Sequence, residues 1–246
     1  MSGVLLTFDD HSNIGDWVEK ISLFARYGVH VTFFIDEADR LTEQQVAGLQ
    51  KLSAAGHEIG CHGLRHRKAV DAIREMGLSN YLRAEIEPCN TALRTLGFDP
   101  VSFCYPSSQR DSRSDAALQK IYQRARTGAS VPVGFSLVQS EAFFTPMAEI
   151  DSRFCLVAKG IDGMDSVVLK EEILPALDRV KSKNEIIVFY AHDIAGGVES
   201  HFVNPEVLEL LLQGIRKREL RTYRFCDLQR RDASHGADGS RHSFEI

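Results

Sequence analysis

Val4-Leu5-Leu6-Thr7-Phe8-Asp9-Asp10 reads as a β-strand, apolar along its length, that ends in two adjacent carboxylates. A strand covered on both faces has this composition, and such strands belong to parallel sheets with helices packed against them. Outward from it the pattern returns in VHVTFFI (29–35), HEIGC (57–61), VSFCY (101–105), IIVFY (186–190) and YRFCDL (223–228). Helical stretches lie between. Asp16–Tyr27 puts Trp17, Ile21 and Phe24 on one face and stops at Gly28. Thr42 with Gln45 forms a capping box ahead of Val46, Leu49 and Leu52, and Gly56 closes that helix. Asn204-Pro205 supplies a cap and a first-turn proline ahead of Leu208, Leu211, Leu212 and Ile215. Alternating strands and helices predict an α/β fold with parallel strands, either a barrel of six to eight strands or an open doubly wound sheet. In both, ligands sit at the carboxyl ends of the strands.

The 246 residues suit one domain, taken as 1–230, with a polar, loosely ordered tail from Arg231 onward. Twenty-nine Lys plus Arg against 34 Asp plus Glu leave a net charge of −5, which argues against nucleic-acid binding. No apolar run approaches the ~20 residues of a membrane span. The first ten residues lack the basic segment and apolar run of a signal peptide. Five cysteines (61, 89, 104, 155 and 226) without CxxC spacing point to free thiols. Together these features predict a cytoplasmic protein.

The strand ends carry the chemistry. Asp9-Asp10 closes the first strand, His62 and His66 follow HEIGC, and His192 follows IIVFY. Each has an ordinary explanation alone: a helix cap, a pair of solvated loop histidines, a satisfied core histidine. Placed on one rim, however, Asp10, His62 and His66 supply three ligands for a divalent metal and leave a position open, as catalytic sites do. Asp9 and His192 are then two spare titratable groups, one to take a proton and one to give it. HEIGCH is not the HExxH metalloprotease helix, because its spacing is one residue too long and its apolar positions alternate like a strand.

The ordered set LLTFDD, VTFFI, GHEIGCHGLRH, Tyr105-Pro106 and FYAH resembles the polysaccharide deacetylase family, the NodB-homology domain of carbohydrate esterase family four. The likeness covers residues 4 to about 192. It implies a distorted (β/α)7 barrel and a metal, zinc first and cobalt or nickel next, on Asp10, His62 and His66. Asp9 would be the base, His192 the general acid, and the backbone N–H at Ser107 an oxyanion donor. The implied reaction is hydrolysis of an N-acyl, most readily N-acetyl, group from a sugar or oligosaccharide. The chain departs from the family at Gly63, where Ser or Thr is usual, and at Cys104, where an arginine orients the base. Arg110, or Arg126 in RARTG, is expected to supply that cation from elsewhere. Cys104 has no histidine at obvious spacing and does not read as a nucleophile. Segment 130–165, with Phe135, Phe143, Phe144 and Phe154, reads as core packing, with a cleft wall as the alternative. Two other functions stay open at this stage: a cyclic imide or ureide hydrolase on the same barrel, and a non-catalytic carbohydrate-binding relative.

Overall fold

The structure, a computed structural model, describes residues 1–195 and 201–228. The expected tail from Arg231 lies outside them. Seven parallel strands close a barrel: β1 (Gly3–Asp9), β2 (Thr32–Ile35), β3 (Glu58–Cys61), β4 (Ser102–Cys104), β5 (Arg124–Ala129), β7 (Cys155–Gly160) and β8 (Glu185–Ala191), with β8 returning to pair with β1. Helices cross over between them, so the barrel and not the open sheet is the fold.

Two short strands sit outside the ring. β6 (Phe144–Pro146) runs antiparallel beside the start of β8, and β9 (Arg221–Tyr223) runs parallel beside the start of β1. β1 pairs with β8 along Gly3–Phe8. Its other edge meets β9 at Gly3–Leu5 and β2 only from Thr7 onward. The second edge of β8 is divided the same way between β6 and β7. The barrel therefore splays at its amino-terminal end, and β6 and β9 take the backbone hydrogen bonds that the splaying leaves open.

Side-chain alternation divides the core in two. Val4, Leu6 and Phe8 point outward to Trp17, Phe24 and Phe33 under the helices. Leu5, Phe34, Cys104, Leu156, Ile186 and Val188 point into the barrel, where Phe225 and Leu228 fill the floor.

Several sequence expectations shift. Of the stretch 223–228 only Tyr223 is strand, as the end of β9; beyond it the backbone turns, because Phe225 N–H donates to Thr32 Oγ1 and Cys226 N–H to Glu58 Oε2 inside the barrel. Asp16–Tyr27 is two helices, Ile14–Glu19 and Ile21–Tyr27, broken where Lys20 N–H bonds the Trp17 carbonyl three residues back. The Thr42–Gln45 capping box and the Asn204 cap are present. In segment 130–165, Phe143, Phe144 and Phe154 are buried and Phe135 is exposed. Among the described residues no helix is long and apolar enough to cross a membrane.

Candidate active site

The parity that sends Leu5 into the barrel also sends Asp9 inward at the carboxyl end of β1. β5 places Arg126 on the same interior, β4 places Cys104 there, and β8 places Tyr190. Asp9 Oδ2 and Arg126 Nη2 form an ion pair with both residues only 2% exposed. The same guanidinium nitrogen reaches Cys104 Sγ, and the guanidinium carbon lies 4.3 Å from the centre of the Tyr190 ring. Burial works against the Arg126 charge, but the adjacent Asp9 carboxylate outweighs it and holds the group protonated. The Cys104 thiol is pushed well up by burial and stays neutral despite Arg126. Asp9 Oδ1 has no hydrogen-bond partner.

The expected cation for Asp9 is thus Arg126. Arg110 is not its partner: it pairs with Asp115, which also accepts the Tyr105 hydroxyl at 2.7 Å. Asp111 caps the helix Ser112–Leu118, and this turn brings Asp115 back onto Arg110.

Asp10, His62 and His66 converge beside that pair. Their ligand atoms all lie within 4.8 Å of one another. His62 Nδ1–H donates to the Cys104 carbonyl at 2.9 Å, which turns its Nε2 toward Asp10 Oδ1 at 3.6 Å. His66 Nε2 is 4.0 Å from the same oxygen. Burial and then the charge of His62 hold the His66 ring below its ordinary pKa, leaving a lone pair to donate. Asp10 Oδ1 is buried without a hydrogen-bond partner. One carboxylate and two imidazoles around an unsatisfied oxygen are a donor set that fits a borderline divalent cation such as zinc. Asp9, His62 and Cys104 also come within ligand range of each other, but Arg126 already occupies both Asp9 and Cys104.

The loop that carries the two histidines needs Gly63, which lies at φ 81°. A Cβ there would come 3.3 Å from Glu85 Oε2. The buried Glu85 braces the loop, its Oε2 accepting Arg65 N–H at 2.8 Å and its backbone carbonyl accepting Leu64 N–H at 3.0 Å. Sequence reading missed it; the signal was an acid inside an otherwise apolar helical face.

His192 stands across the cavity. Asp162, in the turn after β7, accepts from its Nδ1 at 2.6 Å and from its backbone N–H at 3.0 Å, and the Trp17 indole N–H donates to its carbonyl at 2.9 Å. Burial alone would lower the His192 pKa; the Asp162 hydrogen bond and the Asp9 charge more than offset it, and it lies above the ordinary value. Asp162 has no signal in the sequence, because CLVAKG does not read as a strand and no strand end points to it. Ser107 sits at φ 51° on the wall of the same cavity, of about 260 Å³, with Asp9, Asp10, both loop histidines, Tyr190 and His192.

The sequence pattern of the family described as polysaccharide deacetylase matches residues 2–126, just over half of the chain. The chain belongs to the polysaccharide deacetylase family. The matched stretch includes Asp9, Asp10, His62, His66 and Arg126 and ends before Asp162 and His192. Solved deacetylase-family structures share the fold. The Xyl-CE4 domain of a multidomain xylanase from the hindgut metagenome of Trinervitermes trinervoides is 16% identical, with TM-score 0.58, covering 92% of this chain and 89% of that one. A Streptococcus mutans CE4 esterase is 16% identical, with TM-score 0.58, over 91% and 85%. A family 4 acetyl xylan esterase from Clostridium thermocellum, in complex with a cobalt ion, is 17% identical, with TM-score 0.55, over 92% and 89%. No curated protein matches the sequence.

Proposed function

We propose that this polysaccharide deacetylase homologue is a metal-dependent hydrolase that removes an N-acyl group, N-acetyl first, from a sugar or oligosaccharide. The observation that carries the reading is the unpartnered Asp10 Oδ1 facing the ring nitrogens of His62 and His66, with Asp9–Arg126 on one side and His192–Asp162 on the other. Asp10, His62 and His66 would hold a divalent ion, zinc before cobalt or nickel, which when bound supplies Lewis acidity for an amide that is a poor electrophile.

The chain's own groups divide the proton work. Arg126 fixes Asp9 through Oδ2 and leaves Oδ1 free to take the proton of the attacking water. His192 donates Nδ1–H to Asp162, which favours the imidazolium and leaves Nε2–H as the proton given to the departing nitrogen, which leaves only as an amine. The Ser107 N–H, on the exposed rim of the cavity, would steady the oxyanion. No step calls on Cys104 as a nucleophile.

Release of acetate and formate from N-acetylated sugars, nucleotide sugars and chitooligosaccharides tests the reading. Release that stops on chelation and returns with zinc or cobalt is the expected result. A protein with metal bound that frees no acyl group from any of these would refute it.

A further inference from the structure

Asp10 leaves β1 at φ 75°, ψ 133°, a region that residues other than glycine rarely occupy. Relaxation to an ordinary extended φ would swing its carboxylate away from the two ring nitrogens. Something must therefore hold the turn. Asp10 N–H donates to the Phe34 carbonyl at 3.1 Å, and Asn13 Nδ2–H donates to the Asp9 carbonyl at 3.2 Å. The two shortest bonds come from the next residue and end on one atom: His11 N–H at 2.9 Å and His11 Nδ1 at 2.6 Å, both on Asp36 Oδ1.

Asp36 follows β2 directly and is 7% exposed. On the far side, Gln45 Nε2–H donates to the His11 carbonyl at 3.1 Å, tying the turn to the helix Glu43–Ala54. His11 is thus held from both sides, by a barrel strand and by a helix. Neither His11 nor Asp36 touches the reacting groups, and neither has a part in the proton steps.

We propose that Asp36, acting through His11, is a positioning residue that fixes the Asp10 carboxylate for a divalent cation. This rests on reading Asp10, His62 and His66 as a metal centre. Burial opposes the ionisation of Asp36, but the two His11 hydrogen bonds together with the charges of His62 and His11 outweigh it, and its carboxyl lies below the usual range. The arrangement is the backbone counterpart of the hydrogen bond from His62 to the Cys104 carbonyl, in which an outer partner sets the direction of a ligand.

The test is the dissociation constant for Zn²⁺ and Co²⁺, measured by calorimetry or chelator competition on wild type, Asp36→Asn and His11→Ala. Asp36→Asn should weaken binding roughly 10- to 100-fold, the usual cost of losing an outer partner. His11→Ala keeps the backbone bond to Asp36 and should weaken binding by the lower part of that range, about tenfold. His11→Ala leaves the Asp36 charge in place, so its loss cannot come from that charge acting through space. Circular dichroism and thermal unfolding of the metal-free proteins show whether the fold is intact. Folded variants with wild-type affinity would overturn the clamp while leaving the metal centre standing. A loss in Asp36→Asn with wild-type affinity in folded His11→Ala would show the Asp36 charge acting through space, and would overturn the clamp as well. If Asp36→Asn does not fold, His11→Ala, on a partly exposed residue, decides alone. A wild-type protein with no affinity for either ion would overturn the metal centre itself, and the clamp with it.

Discussion

Replacing Arg126 with leucine leaves Asp9 as a buried carboxylate without its counter-charge. Both side chains are 2–3% exposed, so water cannot substitute for the guanidinium. Breaking a buried ion pair from one side costs about 3–5 kcal/mol while the remaining charge persists. For a domain of this size each kcal/mol corresponds to roughly 2–4 °C in Tm, so metal-free Arg126→Leu at pH 8 should melt about 10 °C below wild type. The cost has a pH signature. With no partner, burial favours neutral Asp9 in the folded variant over a pH window that opens above the unfolded carboxyl value near ~3.9. The folded state then binds the proton more tightly than the unfolded state, so stability falls as pH rises through that window and is recovered as pH falls. The deficit against wild type should therefore shrink as pH falls from 8 to 5, at no more than about 1.4 kcal/mol per pH unit. Thermal unfolding of both proteins in chelator at pH 5, 6, 7 and 8 measures it. Arg126→Lys, which keeps the charge, should flatten the dependence. A deficit of equal size at every pH would show that Arg126 contributes only volume, and the argument that its charge compensates Asp9 would fail.

Asp162→Asn removes the anion that raises the His192 pKa, so the general acid should lose its proton at lower pH. The alkaline limb of the kcat profile should move down, and kcat at pH 8 should drop on the order of 10²-fold; an unmoved limb would detach Asp162 from the acid. His192→Ala should slow amide hydrolysis by about 10²–10⁴ and an activated acyl ester far less, because only the amine needs protonation; equal losses would contradict its role. Gly63→Ser installs a residue usual in the family yet should destabilise this chain by about 1 kcal/mol, since the loop there has φ 81° and Glu85 fills the space. Unchanged thermal unfolding would show that the loop adapts.

How much of this was legible in the sequence depends on what each strand carries. β1, β2, β3, β4 and β8 announce themselves, because their residues are apolar or β-branched on at least one face. β5 is RARTGA and β7 is CLVAKG, and neither reads as a strand. The reason lies in the barrel interior: Arg124 and Arg126 occupy it from β5, and Gly128 and Gly160 stay small because the Tyr190 ring comes within about 3 Å of where their Cβ atoms would stand. Polar and minimal side chains are what the interior requires there, and they erase the hydrophobic signal. The loss of β7 then hid Asp162. Asp10, His62 and His66 were legible because their spacing is local to two strand ends. Glu85 and Asp36 were not, since each acts through backbone hydrogen bonds to a segment distant in sequence.

The arginine shows why a departure from a family pattern need not remove the interaction it encoded. At Cys104 the chain lacks the residue that the resemblance associates with orienting the base. β4 and β5 are neighbours, however, and Cys104 pairs in register with Arg126. A guanidinium one strand over, from the laterally adjacent position, therefore reaches the same carboxylate. The thiol left at Cys104 is small enough to admit it, and Arg126 contacts both groups at once. What the fold fixes is a demand: a carboxylate buried at the end of β1 must meet a cation or take up a proton. Which strand supplies the cation is set by the side chains that fill the interior beside it. Reversing the exchange by Cys104→Arg alone should accordingly not strengthen the site. The second guanidinium would crowd a space that Arg126 already fills, and the oxygen left for it, Asp9 Oδ1, is the one the proposed base must keep free.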